Sequence, residues 1–192
     1  MNPLISAAQR GDIHLYYVDA AHFVLGAFLG YLWCVSRIFI RTPSGRKRYN
    51  VLGAYNAITG AMVSVTNTTY INSSSVVELL SKLSLLHPEG TVKVILDNAA
   101  YQRCYWVRAF ASLIGIELIF LPSYSPNLNL IERYWKFVKK KSLNNQFYSN
   151  FEDFCAAIDD CINNAKEKYH EEIESLMTLR FQTFENVKCL AG

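Results

Sequence analysis

Three carboxylates stand apart in a basic stretch of chain: Asp19 closing HLYYVD, Asp97 closing VKVILD, and Glu132 inside SPNLNLIERYWKFVKKK. Only Asp12, Glu78, Glu89 and Glu117 add acids before Leu143. The first two close apolar, β-branched runs of the kind found in buried parallel strands. The third falls on a helix predicted to open at Ser125-Pro126. Strand ends and helix faces can bring such groups together. Gathered carboxylates repel and desolvate one another unless a divalent cation neutralises them, so the pattern points to metal-dependent phosphodiester chemistry.

The elements that must position these acids follow from hydrophobic period and turn residues. Ile13–Asp19 reads as the first strand, with Leu15, Tyr17 and Asp19 on one face and His14, Tyr16 and Val18 on the other. Gly26–Ile40 and Tyr49–Thr59 read as the next two strands, separated by the turn RTPSGRKR, and Ala61–Tyr70 as an extended edge segment. Helix and strand then alternate. Ser73–Leu86 is a helix by its serine caps and the spacing of Val76, Val77, Leu80 and Leu83. Val92–Asp97 is a strand, Gln102–Ile114 a helix stopped by Gly115, and Ile116–Leu121 a strand leading to the helix of Glu132. An antiparallel meander followed by βαβα units gives an α/β chain with a mixed sheet and helices on both faces, the order of the ribonuclease H-like fold.

On the helix from Ser125, Ile131, Tyr134, Trp135 and Val138 share an apolar face. Glu132 lies at its edge, with Arg133, Lys136, Lys139 and Lys140 fanning out beyond. A Glu132–Lys136 pair at i,i+4 is the plainer reading, contributing only about 0.2–0.5 kcal/mol. From Phe151 to about Leu176 an amphipathic helix is predicted, packed on the sheet or, alternatively, forming a dimer contact. The expected organisation is a lead-in over 1–12, a catalytic domain over 13–145 and C-terminal helices over 146–192 packed on it.

At 192 residues and 51% hydrophobic content the chain supports one well-cored domain. The longest apolar run, Phe23–Val35, is short for a membrane span and is broken by Gly26 and Gly30. Met1–Arg10 lacks the form of a signal peptide, so a soluble, cytoplasmic protein is expected. Cys34, Cys104, Cys155, Cys161 and Cys189 form no CxxC pair and are expected as free thiols. Met1–Ser142 carries 15 Lys/Arg against 7 Asp/Glu, and Leu143–Gly192 carries 4 against 9. A basic body implies a polyanionic partner; an acidic tail implies a role within the molecule or toward a partner.

LDNAAYQR (Leu96–Arg103), followed by FLPSYSPNLNLIERYWKFVKK with 34 residues lying between Asp97 and Glu132, resembles the second and third catalytic blocks of mariner-type DDE transposases. The branch resembled is the bacterial insertion sequence 630 type. VDAAHF (Val18–Phe23) takes the place of the first block. Leu130 stands where many relatives have proline, which alters helix rigidity more than chemistry. The resemblance implies that Asp19, Asp97 and Glu132 are the catalytic, metal-binding triad. It also implies two Mg²⁺ or Mn²⁺ ions about 3.5–4 Å apart across the scissile phosphate. Asp97 would be shared between them. Water would cut at the element ends and the freed 3′-hydroxyl would attack target DNA at TA. The implied partners are transposon-end and target DNA, a second copy of the chain on DNA, and a helix-turn-helix module upstream or in another frame.

Around the triad, Asn98 is either a group orienting a metal-bound water or carboxylate, or a strand-ending turn residue. His22 either touches DNA or the attacking water, or is structural. Arg37, Arg41, Arg46, Lys47 and Arg48 crowd one hairpin and either grip phosphates or form a solvated surface. With Arg133, Lys136, Lys139 and Lys140 they make up the candidate DNA-binding set. Trp33, Trp106 and Trp135 are expected in the core. Two other functions remain open at this point: a non-catalytic remnant that binds DNA or dimerises and so inhibits a full-length transposase, and a junction or RNA–DNA hybrid nuclease of the same fold.

Overall fold

The computed structural model describes residues 2–26, 47–122 and 129–179. An N-terminal helix, α1 (Asn2–Gln9), precedes strand β1 (His14–Val24). Next come β2 (Arg48–Asn56), β3 (Met62–Asn67), α2 (Ser73–Leu86), β4 (Val92–Leu96), α3 (Tyr105–Leu113) and β5 (Ile116–Phe120). Three helices follow: α4 (Ile131–Ser142), α5 (Phe151–Lys168) and α6 (His170–Leu176). The five strands form one sheet in the order β3-β2-β1-β4-β5, antiparallel from β1 to β3 and parallel from β1 through β4 to β5.

Strand alternation divides the core in two. Leu15, Tyr17, Ala21 and Phe23 of β1, Ile95 of β4, and Tyr49, Val51 and Tyr55 of β2 pack with Tyr134, Trp135, Phe137 and Val138 of α4, and with α5 and α6. Tyr16, Val18, Leu52, Ala54, Val92, Val94 and Leu96 face the other way, onto Val76, Leu79, Leu80 and Leu83 of α2 and Val107 and Ala111 of α3. Helices thus cover both faces, as the element order implies. A ribonuclease H-like mixed sheet is the result.

Several expected boundaries move. β1 does not end at Asp19 but runs five residues further, because β2 keeps pairing with it through Val24 after β4 has left at Val18. The helix carrying Glu132 starts at Ile131 rather than Ser125, and Leu130 at its N-cap makes no side-chain capping bond. α2 has its predicted range, but its cap is Asn72, which accepts from Ser74 and Ser75, rather than a serine. The single helix expected from Phe151 is two, broken at Tyr169. α5 rests mainly on α4, where the Tyr134 hydroxyl donates to the Ile162 carbonyl at 3.0 Å. It reaches the sheet at Tyr49, whose hydroxyl donates to Asp159 at 2.7 Å. The expected lead-in contains α1, whose Ile5 and Ala8 join the α4-side core. The strand expected over Gly26–Ile40 lies outside the described residues beyond Gly26. Trp135 is buried as expected; Trp106, expected in the core, is 49% exposed on α3, and Trp33 is outside the described residues.

Candidate active site

The parallel ladder between β1 and β4 ends with Val18 beside Leu96. Asp19 and Asp97 are therefore the next residues on neighbouring strands. By alternation both fall on the face of Tyr17 and Ile95, the face covered by α4. Asp19 is partly buried inside β1, opposite Gly53 of β2; Asp97 is exposed, just past the end of β4. Glu132 sits in the first turn of α4, partly buried, where the helix dipole favours an anion.

Their charges reach one another. Burial pushes the Asp19 carboxyl up to about 7; the Ala20 N–H and Lys139 counter this, while the charges of Asp97 and Glu132 raise it further. Glu132 is also raised, first by burial and then by Asp97, against the pull of Lys136. Lys136 acts there as a nearby charge: among the described residues no ion pair joins it to Glu132. Asp19 and Glu132 thus resist ionisation, and the three carboxylates, offering only hard oxygen donors, suit Mg²⁺ or Mn²⁺ by chemistry. They do not converge into a ready-made cage, since among the described residues no three His, Cys, Asp or Glu side chains are grouped closely enough to hold a metal.

The turn after Asp97 is tightly specified. Asn98 has φ 74°, a left-handed conformation that asparagine tolerates better than most residues. The Ala99 N–H points to Asp97 Oδ1 at 3.4 Å and to Gln102 Oε1 at 3.1 Å. Gln102 is fully buried, and among the described residues its Nε2 has no hydrogen-bond partner. Reading the sequence did not single out Gln102; a polar residue in a turn carries no periodic signal of burial.

Not every candidate joins the carboxylates. His22 has the parity of Tyr16 and Val18, which places it on the opposite face from Asp19, and its Nδ1 bonds Asn50 Oδ1 at 2.7 Å. Arg133 does not fan outward: its guanidinium donates to the carbonyls of Thr178 at 2.8 Å and Leu176 at 3.5 Å, tying α4 to the end of α6. Lys136, Lys139 and Lys140 are exposed, as expected. Lys139 lies 5.8 Å from the Phe23 ring centroid, near Asp19. Lys140, however, meets Glu172 of α6 at 3.2 Å, and Lys141 meets the same carboxylate at 2.6 Å. The acidic tail thus acts within the molecule, on the basic ridge. Lys47 sits 5.4 Å over Phe151 and Arg48 is exposed, while Arg37, Arg41 and Arg46 lie outside the described residues. Cys104, Cys155 and Cys161 are free thiols. Among the described residues no helix is long and apolar enough to cross a membrane.

The sequence matches the family profile described as DDE superfamily endonuclease over residues 14–155. No curated protein matches the chain significantly. Among solved structures, the fold is similar to the Mos1 strand transfer complex, with TM-score 0.60 and 15% identity over 94% of this chain and 60% of that one. It is similar to the catalytic domain of Mos1 mariner transposase, with TM-score 0.57 and 15% identity over 84% of this chain and 76% of that one. It is also similar to the HTLV-2 integrase catalytic core domain in complex with magnesium, with TM-score 0.54 and 12% identity over 81% and 87%. At these identities the likeness is one of fold. The chain spans about 60% of the length of the chain in the Mos1 strand transfer complex.

Proposed function

The chain belongs to the DDE superfamily of endonucleases, and from that membership we propose that it is the catalytic domain of a mariner-type transposase of the bacterial insertion sequence 630 branch. In this reading residues 13–145 form the catalytic unit, Asp19, Asp97 and Glu132 are its metal ligands, and DNA is its substrate. The observation that carries it is the register of β1 and β4, which makes Asp19 and Asp97 neighbours on the face beneath α4. The SPNLNLIE block supports the branch.

A divalent metal bound by these three carboxylates would supply Lewis-acid stabilisation to the scissile phosphate and to the attacking oxygen. The chain's own residues set up the rest. Trp135, 4% exposed, fills the space between α4 and β2 and fixes the height of Glu132 over the sheet edge. Lys136 and Lys139 lie one and two turns along the same side of α4 as Glu132, where their ammonium groups can hold non-bridging phosphate oxygens. In the first step a water oxygen bonds to phosphorus as the bond to the 3′-oxygen breaks, leaving a 3′-hydroxyl and a 5′-phosphate. In the second, that hydroxyl attacks a target phosphate at a TA step and displaces a second 3′-oxygen. No covalent bond to the protein is needed. A helix-turn-helix module, encoded upstream or in another frame, would recognise the transposon ends, and a second copy of the chain would complete the assembly on DNA.

The test is single-turnover cleavage and strand transfer on supercoiled DNA in Mn²⁺, with a helix-turn-helix module fused in cis. Products from the wild type that Asp97→Asn and Glu132→Gln both abolish support the reading. Products that persist in either variant, or no product from the wild type, contradict it; the latter result would favour the inhibitory remnant.

A further inference from the structure

Asn50 of β2 is a buried amide, 1% exposed, with all its bonding directed at one loop and one histidine. Its Nδ2 donates to Asn67 Oδ1 at 3.1 Å and to the Thr69 carbonyl at 3.0 Å. Asn67 extends the network, donating from Nδ2 to the Tyr70 carbonyl and accepting from the Thr69 N–H, each at 3.1 Å. Both Asn50 amide hydrogens are thereby used, so its Oδ1 is the acceptor for His22 and Nδ1 of His22 carries the proton. Two asparagines and a histidine hold residues 67–70 in one shape. What this loop displays is Tyr70, 76% exposed, a large aromatic ring that gains little from burial in this fold.

Tyr70 borders a groove of about 700 Å³ lined by Lys47, Arg48, Thr68, Thr69, Tyr70 and Phe151, within the size range of small-ligand sites. Among the described residues the lining holds two cations, three hydroxyls, two aromatic rings and no carboxylate. Neither cation makes an ion pair among the described residues, and Lys47 is steadied by the Phe151 ring at 5.4 Å. We propose that this groove binds an unpaired nucleotide of the DNA substrate, its base stacked on Tyr70 and its phosphate held by Lys47 and Arg48. A duplex offers phosphates but keeps its bases stacked on each other, which would leave a rigidly displayed ring without a function. An unpaired base has a free face for it. The inference rests on the reading of the chain as a DNA-processing enzyme. It locates a contact away from the carboxylates: Arg48 pairs with Val24, five residues beyond Asp19 along β1. At about 3.3 Å per residue this is roughly 17 Å, or about five nucleotide steps at 3.4 Å.

The test compares binding of the full chain, in EDTA, to a blunt DNA duplex and to the same duplex with a five-nucleotide unpaired flank. 2-Aminopurine at successive flank positions reports stacking. The expected result is tighter binding of the flanked DNA and quenching at one flank position. Tyr70→Ala should abolish the quenching and weaken flanked binding about tenfold, leaving the blunt duplex unaffected. Tyr70→Phe should behave as wild type. Equal losses on both DNAs, or no loss on either, would overturn the nucleotide groove while leaving the proposed enzyme function intact. Failure of the wild-type chain to bind either DNA would overturn both. Tyr70 lies on the surface, and circular dichroism of the alanine variant confirms that a loss of binding is not a loss of fold.

Discussion

Gly53 lies directly beneath the indole of Trp135: a methyl group at position 53 would stand 2.7 Å from Cη2 and from Cζ2 of the ring. Gly53 is also the cross-strand partner of Asp19. The absence of a side chain on β2 therefore sets how closely α4, and Glu132 with it, approaches the strand that carries Asp19. Phe23 closes the other side of the indole edge-on, with ring centroids 6.4 Å apart.

Gly53→Ala is expected to lift α4, lowering stability by about 1–3 kcal/mol as overpacking does and reducing metal-dependent cleavage more than tenfold. Thermal unfolding and cleavage rates check both effects. Trp135→Phe in the same chain removes the clashing atoms and should recover most of the stability; no recovery would mean that the indole does not set the spacing.

Asp19 gives the fold a pH dependence. Its carboxyl is raised from 3.8 to about 7, so between those values the folded chain binds a proton that the unfolded chain has released, and stability falls as pH rises through this window. Asp19→Asn, measured in EDTA, should melt a few degrees above wild type at pH 8, with the gap narrowing toward pH 5. A variant that melts at or below wild type at pH 8 contradicts the shift.

At Asn98 the left-handed backbone separates two roles. If conformation is the requirement, Asn98→Gly keeps cleavage near wild type, while Asn98→Ala costs about 1 kcal/mol of stability and impairs cleavage. This is the expected outcome. A glycine variant that is stable yet inactive would instead assign the amide a direct role beside Asp97.

Glu172 pairs with Lys140 and Lys141 of α4, and on the proposed function it would compete with DNA for them. Glu172→Gln frees Lys140 and Lys141, so affinity for duplex DNA should rise severalfold at low salt, with a steeper salt dependence. Titration by fluorescence anisotropy at two salt concentrations checks this. Unchanged affinity and slope would contradict the proposed DNA contact of Lys140.

The alternation Leu15-Tyr17-Asp19 and the apolar face Ile131-Tyr134-Trp135-Val138 were legible because period and burial coincide in them. Asp97 was legible as the close of a short buried strand, although β4 itself ends one residue earlier, at Leu96. The extension of β1 beyond Asp19 was not, because Ala20–Val24 has weak strand character alone and is held by pairing with β2, a partner distant in sequence. Long-range pairing also explains Arg133, which looks like one cation among several on α4 until the end of α6 presents carbonyls to it. Trp106 misleads for a different reason: hydrophobic type favours the core, but α3 already fills its buried side with Val107 and Ala111. Gly53 carries no local sign of its task, since a close approach by Trp135 exists only once the layers are assembled.

The most direct test of the carboxylate site is Mn²⁺ binding followed by electron paramagnetic resonance, for the wild type and for Asp19→Asn, Asp97→Asn and Glu132→Gln at pH 8. The expected result is saturable binding by the wild type, weakened at least tenfold by each substitution, with all four proteins folded. Binding of equal strength in the wild type and all three variants would show that the metal, and with it the chemistry, resides elsewhere.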